Sequence, residues 1–266
     1  MKIEGDIRKM KTTLVNGVAN YVLTLGDTDI PMNELLGKQI SFQYTGAIFC
    51  VKCGAKTKTS FFQGFCYPCF TTAPEAEECV LRPELCQAQN GIARDMTFAQ
   101  THCLIPHYVY VADTGSVKVG VTRNTQIPTR WIDQGAMGAM VCAQTPNRFV
   151  AGQIEVMLKQ HFSDKTNWRK MLMQQKSDTL LLQQTYESAL NYIDSDFQSC
   201  AVYDSEIHYI TYPGEVCDGK IQTVNFDKTP FFSGTLRGIK GQYLLFDSNI
   251  VLNIRKHGGC RVQCTV

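Results

Sequence analysis

The chain has 266 residues, 44% hydrophobic and 19% charged, which is enough apolar sequence for a buried core and excludes general disorder. Lys and Arg number 26 against 24 Asp and Glu, so the net charge of +2 demands neither a polyanionic nor a polycationic partner. A basic patch can still sit within so neutral a total. No apolar run approaches the ~20 residues that span a bilayer. Met1-Lys2-Ile3-Glu4-Gly5-Asp6 enters charged sequence without a basic-plus-apolar leader, so the expectation is a cytoplasmic protein.

Residues 1–48 read as a β-rich unit. Tyr21-Val22-Leu23-Thr24-Leu25 is dense in β-formers and stops at the turn signal Gly26-Asp27. Gln39-Ile40-Ser41-Phe42-Gln43-Tyr44 alternates polar and apolar, the mark of a strand with one buried face. The segment 196–266 reads likewise. Glu4 to Lys11 is echoed by Ser233 to Lys240, Tyr21-Val22-Leu23 by Tyr243-Leu244-Leu245, and Ile30-Pro31-Met32-Asn33 by Ile250-Val251-Leu252-Asn253. Duplication of a small β-barrel-like unit and chance similarity between strand-rich segments both fit this echo.

A cysteine-rich module over 49–106 separates these units from the rest. Cys50-Val51-Lys52-Cys53 and Cys66-Tyr67-Pro68-Cys69 are two C-x2-C pairs with twelve residues between them. Each pair brings two thiolates to one tetrahedral ion from a single turn, and two pairs close the shell, which is the spacing of a structural zinc ribbon. Disulfides are the alternative, disfavoured in a reducing compartment. Cys79, Cys86 and Cys103, with His107 beyond, offer a less regular set for a second zinc, against free buried thiols. Cys142, Cys200, Cys217, Cys260 and Cys264 show no pairing pattern and read as packing residues.

The chemistry is expected in an α/β core over 107–195. His107 to Asp113 and Val117 to Arg123 alternate as two strands joined by a hairpin at Asp113-Thr114-Gly115-Ser116. Pro128 starts a helix that ends at Gly135, and a second runs from Phe149 to Phe162. A third covers Ser177 to Tyr192, where Leu181, Thr185, Ser188 or Ala189, and Tyr192 form a packing stripe. Glu155 shares a stripe with Ala151, Leu158 and Phe162, so a carboxylate is expected to face inward, where it needs a partner or a metal.

The hairpin, Gly120-Val121-Thr122-Arg123, a helix with Arg130 and a helix with Glu155 resemble the GIY-YIG endonuclease superfamily over about residues 107–170. Tyr108-Val109-Tyr110 and Lys118-Val119-Gly120 are similar to its two name motifs. The whole chain also resembles a bacterial family of unassigned function that carries a four-cysteine cluster ahead of such a core. The superfamily resemblance implies Tyr110 as general base, Arg130 on the scissile phosphate, Glu155 holding one divalent ion (Mg²⁺ or Mn²⁺), and Asn167 as a late asparagine. Tyr108 stands where the first motif has glycine and Lys118 where the second has tyrosine. Gln134 sits near a position where some relatives carry histidine, and Arg130 comes two residues late relative to some members. These departures bear on hydrolysis more than on fold.

Lys118, Arg123 and Arg130 can supply the cationic field that a tyrosine base and a phosphate require. Each residue also has a plainer role: Tyr108 as a strand aromatic, Arg130 and Glu155 as a helix–helix ion pair, Asn167 as a helix cap. Lys52, Lys56, Lys58, Arg82 and Arg94 interleaved with Phe61, Phe62, Phe65, Tyr67 and Phe70 suit a nucleic-acid surface or the mini-core of a zinc module. The expectation is an α+β protein that acts as a zinc-containing, divalent-metal-dependent nuclease on DNA or RNA. A non-catalytic nucleic-acid-binding protein and a protein-interaction adaptor are the alternatives.

Overall fold

The computed structural model describes residues 1–266 and divides them into two compact units. In chain order the first part holds β1 (Lys2–Asp6), β2 (Lys11–Val15), β3 (Val18–Leu25), β4 (Thr28–Pro31), β5 (Gln39–Phe49), β6 (Lys56–Thr57) and α1 (Tyr67–Thr72). The middle holds α2 (Met96–His102), β7 (His107–Asp113), β8 (Val117–Arg123), α3 (Thr129–Gln134), β9 (Gly138–Thr145), α4 (Arg148–Lys159), α5 (Trp168–Met173), α6 (Thr179–Asn191) and β10 (His208–Tyr209). The last part holds β11 (Gln222–Thr223), β12 (Phe231–Lys240), β13 (Tyr243–Phe246), β14 (Ile250–Asn253) and β15 (Cys260–Thr265).

The first unit comprises Met1–Thr71, Leu172–Gln175 and Thr211–Val266. Its strands form an eight-stranded sheet, ordered β1-β15-β5-β12-β13-β14-β11 with β6 on β5, and a three-stranded sheet β2-β3-β4. Neither closes into a barrel. The two end segments, expected as separate barrel-like units, are instead one body. β1 pairs antiparallel with β15, and β12 pairs antiparallel with β5. Each half thus lends its first strand to the last strand of the other, which covers edges that would otherwise present unpaired amides.

The two echoing halves follow a similar order. The first runs as β1, the meander β2-β3-β4, a 3₁₀ turn (Met32–Leu35) and β5. In the second the long β12 is both first strand and opening of the meander β12-β13-β14, before a 3₁₀ turn (Arg255–His257) and β15. The two last strands pair with each other, with Phe42 opposite Cys264. The matching glycines Gly5 and Gly234 serve one purpose. A Cβ on Gly5 would lie 2.1 Å from Gly26 N, and one on Gly234 would lie 3.0 Å from Asp247 Oδ1. Both first strands therefore pass so close to a following turn that only glycine fits without a shift.

The second unit comprises Thr72–Met171 and Lys176–Ile210. Its antiparallel sheet is ordered β10-β9-β7-β8. Val109, Val111 and Val119 share a core with Ala151, Ile154 and Leu158 of α4 and with Leu182, Tyr186 and Ala189 of α6. Successive strand residues point to opposite faces, so Tyr110 lies away from that core, where its ring meets Trp131 of α3 edge-on at 5.9 Å. The expected helices are present, but the α6 stripe is rotated by one residue. Leu181 and Tyr192 are each 45% exposed, whereas Leu182, Thr185, Tyr186 and Ala189 are buried. The period was local information; the phase was set by the sheet.

The boundary between the units falls at Thr71, inside the segment expected as one cysteine-rich module, and groups the chain differently from the four expected segments. Beyond it, residues 74–90 form successive 3₁₀ turns, followed by α2, which Asp95 caps through Phe98 N at 3.0 Å. No helix is long and apolar enough to cross a membrane.

Candidate metal centres and a buried polar cluster

The first cysteine pair lies in a tight turn after β5. Lys52 N–H donates to Cys50 Sγ at 3.4 Å and Gly54 N–H to Cys50 O at 2.9 Å, with Gly54 in the left-handed region at φ 72°. The second pair spans the start of α1, where Phe70 N–H donates to Cys66 O at 2.9 Å. The four sulfurs all lie within 4.8 Å of one another, and Cys53 Sγ and Cys66 Sγ are 3.8 Å apart. A tetrahedral ion with Zn–S near 2.3 Å sets its sulfurs about 3.8 Å apart. These thiols can hold one metal ion. Burial pushes the Cys50 thiol up, but the backbone of Cys53, Cys66 and Lys52 outweighs it and brings it down to about 6, while burial and its cysteine neighbours push Cys69 up to about 12. One sulfur is thus ready as a thiolate, the form that binds metal.

The aromatics around this turn pack on one another. Phe61 stacks on Phe70 with centroids 5.7 Å apart, and Phe62 tilts against Phe65 at 6.1 Å and Phe70 at 6.4 Å. They form the small core that such a module needs. Arg82 pairs with Glu78 at 3.1 Å and Glu84 at 3.3 Å, and Arg94 Nη1 donates to Ala73 O at 3.0 Å, so both arginines do structural work.

A second thiol group, Cys79, Cys86 and Cys103, also has all sulfurs within 4.8 Å and all three residues buried. Cys86 is drawn well below the usual thiol range and Cys79 raised above it, each first through its hydrogen bond with Cys103. His107, expected as the fourth ligand, stands outside this group. Its Nδ1 is held by Ile105 O at 2.8 Å, its Nε2 is buried without a partner, and burial lowers its pKa to about 4. Arg148 braces the thiols from α4: its guanidinium donates to Cys79 O at 3.2 Å and to His102 O at 3.1 Å, and lies 3.8 Å from Cys79 Sγ. Gly152, one turn further along α4, lets the helix seat on the Pro83–Leu85 turn, since a Cβ there would lie 2.2 Å from Glu84 N. Neither residue carries a sequence signal; the close approach alone reveals them.

The third site is polar. The Gln134 amide, oriented to satisfy both neighbours, donates to Tyr110 Oη at 2.8 Å and accepts from Arg130 Nε and Nη2 at 3.2 Å each. Lys118 Nζ donates to Asp164 O at 2.9 Å. Glu155 Oε2 lies 3.1 Å from Lys159 Nζ, which is 3.6 Å from Asp164 Oδ2. Burial raises the Glu155 carboxyl against the pull of Lys159 and Lys118. Burial also lowers Lys118 to about 8, helped by the Arg130 charge and opposed by Glu155. Tyr110 is raised by burial, against Arg130, and feels Glu155 as well. The fold therefore gathers Tyr110, Lys118, Arg130 and Glu155 into one electrostatic neighbourhood.

Other expected residues lie elsewhere. Tyr108 is a half-buried strand residue opposite Thr122. Arg123 sits opposite His107 in register, and its charge is felt at Arg148 and Cys103 rather than at Glu155. Asn167 caps α5, its Oδ1 accepting from Lys170 N at 3.3 Å, so that side chain is taken up by the backbone.

The molecule is thus an α+β protein with two thiol clusters able to hold metal. It belongs to the DUF2797 family, described as proteins of unknown function, whose profile matches residues 37–262. No curated protein and no solved structure matches it.

Proposed function

We propose that the protein is a zinc-containing nucleic-acid phosphodiesterase, a divalent-metal-dependent nuclease acting on DNA or RNA. The observation that carries this reading is the meeting of Tyr110, Arg130, Lys118 and Glu155 from β7, α3, β8 and α4. Phosphodiester hydrolysis needs a proton acceptor, neutralisation of the phosphate and a cation at the leaving oxygen. Arg130 is half-buried rather than sealed, and its planar fork suits a phosphate. Lys159 lies between the Glu155 and Asp164 carboxylates, a pair of hard oxygen donors that fits Mg²⁺ or Mn²⁺ once that ammonium swings out. Such an ion would supply Lewis-acid stabilisation of the phosphate oxygens.

Proton transfer falls to Lys118 in this reading. Burial lowers its ammonium to about 8, so it gives up a proton more readily than a free lysine, whereas the Tyr110 phenol is raised and Gln134-bound. Tyr110 then positions Gln134 and, through it, Arg130. The Cys79, Cys86 and Cys103 thiols belong to the same unit as this site, and the four-cysteine cluster to the other.

Purified protein incubated with DNA and RNA, with Mg²⁺, with Mn²⁺ and with EDTA, tests the reading. Metal-dependent cleavage that Glu155→Ala reduces by about 10²-fold supports it; equal cleavage by that variant excludes the site. A second reading, nucleic-acid binding without cleavage, is favoured by the complete burial of Tyr110 and by the ammonium already seated on Glu155. Salt-sensitive binding with no cleavage under any metal selects it.

A further inference from the structure

The segment around Cys79, Cys86 and Cys103 has almost no apolar core of its own. Its buried cluster consists of those three cysteines with Ala88 and Ala99, and only Ala93, Met96, Leu104 and Phe149 pack against it. So small a core, even with Ala76 and Pro83 buried and the Pro83–Leu85 turn seated on α4, offsets little of the entropy of ordering a run of 3₁₀ turns. A metal–thiolate centre can offset it, because its binding free energy becomes folding free energy. Sulfurs within 4.8 Å of one another fit three corners of a single tetrahedral ion.

The fourth corner is distinctive. A cavity of about 170 Å³ is lined by all three cysteines together with Glu77, Gln87 and Ile92. Neither His107 nor Arg148 borders it, and no protein nitrogen or carboxylate joins the sulfurs as a fourth donor. We infer that Cys79, Cys86 and Cys103 form a zinc site whose fourth coordination position opens onto this cavity and is filled from outside the protein, by water that a small thiolate can replace.

Three thiolates and Zn²⁺ carry a net charge of −1. Arg148 against Cys79 and Arg123 within electrostatic reach of Cys103 place two positive charges beside the triad. The side chains of Glu77 and of Glu78, which pairs with Arg82, also border the cavity. The cavity has room for several waters or one compact ligand, not a polymer. Structural zinc sites are closed by four protein ligands, whereas sites with three keep a position for exchange. The inference rests on the triad binding zinc and is independent of cleavage at Glu155.

The test uses the full chain. Metal analysis of the zinc-loaded protein is expected to give two ions per chain, and X-ray absorption an average of about 3.5 sulfurs per zinc, from one four-sulfur and one three-sulfur site. Adding 2-mercaptoethanol is expected to raise that average toward four and, in the Co²⁺-substituted protein, to shift the visible bands of one ion. Cys53→Ser, in the other cluster, should keep this response, whereas Cys86→Ser should lose it together with one metal equivalent. His107→Ala should leave the spectrum unchanged. One ion per chain, or a second ion that ignores thiol while His107→Ala alters its spectrum, overturns the inference. The wild-type measurements need no variant to fold.

Discussion

Gly120 lies directly opposite Tyr110 in the β7–β8 register, and a Cβ on it would come within 2.8 Å of the Tyr110 hydroxyl. The glycine is thus the floor on which the phenol lies, and it keeps Oη at the Gln134 amide. Gly120→Ala is expected to push the ring off Gln134 and to destabilise the protein by about 1–3 kcal/mol, the usual cost of overpacking a filled site. Urea unfolding of both proteins measures it. An unchanged midpoint would show that the ring is not pinned there.

Helix α4 offers a test in which the sign is the evidence. Gly to Ala inside a helix normally stabilises by about 1 kcal/mol. At Gly152 the new methyl would meet Glu84 N at 2.2 Å and Pro83 C at 2.4 Å, both backbone atoms that cannot rotate away. Gly152→Ala should therefore lower stability, by about 2 kcal/mol, and loosen the neighbouring thiol group. A rise in the melting temperature would contradict the seating of α4 on that turn.

The four-cysteine cluster should behave as part of the fold. Cys50→Ser and Cys66→Ser are each expected to lower zinc content by one equivalent and to destabilise by several kcal/mol, since the ion's binding energy maintains the local structure. Metal analysis with circular dichroism before and after chelation checks both. Zinc-free protein that unfolds at the same denaturant concentration would remove the metal from any structural role.

Lys118 predicts a pH dependence of definite sign. Its ordinary value is 10.5 and the folded protein holds it at about 8. Between these values the unfolded chain retains a proton that the folded chain has released, so stability rises with pH across that window. Below pH 8 the cost of burying the ammonium is fully present. Lys118→Met should thus stabilise by about 1–3 kcal/mol at pH 7, with the gain fading as pH approaches 10.5. Denaturant titrations at three pH values test this, and a gain that does not shrink with pH would reassign the effect to packing.

Much of the site was legible in the chain because its signals are local. Two C-x2-C turns, the alternation of β7 and β8, Gly135 at the end of α3 and the inward Glu155 depend on residues a few positions apart. Other features were not legible. Leu181 and Tyr192 have the spacing of a buried stripe, yet α6 turns Leu182 and Tyr186 to β9 and the core, a choice made by the partner surface. Asn167 fits a site asparagine by position, but the nearest orphan amides of α5 claim its side chain.

The sequence by itself determined the two C-x2-C pairs and the hairpin, because each follows from short-range geometry and side-chain period. Only the tertiary structure decided that the two ends of the chain exchange strands, that His107 turns to Ile105 O instead of joining Cys79, Cys86 and Cys103, and that Tyr110 is sealed while Arg130 is not. Strand partners and burial are set by segments up to some 260 residues away in the chain, as in the pairing of Lys2 with Thr265. No local pattern encodes which distant surface wins the contact.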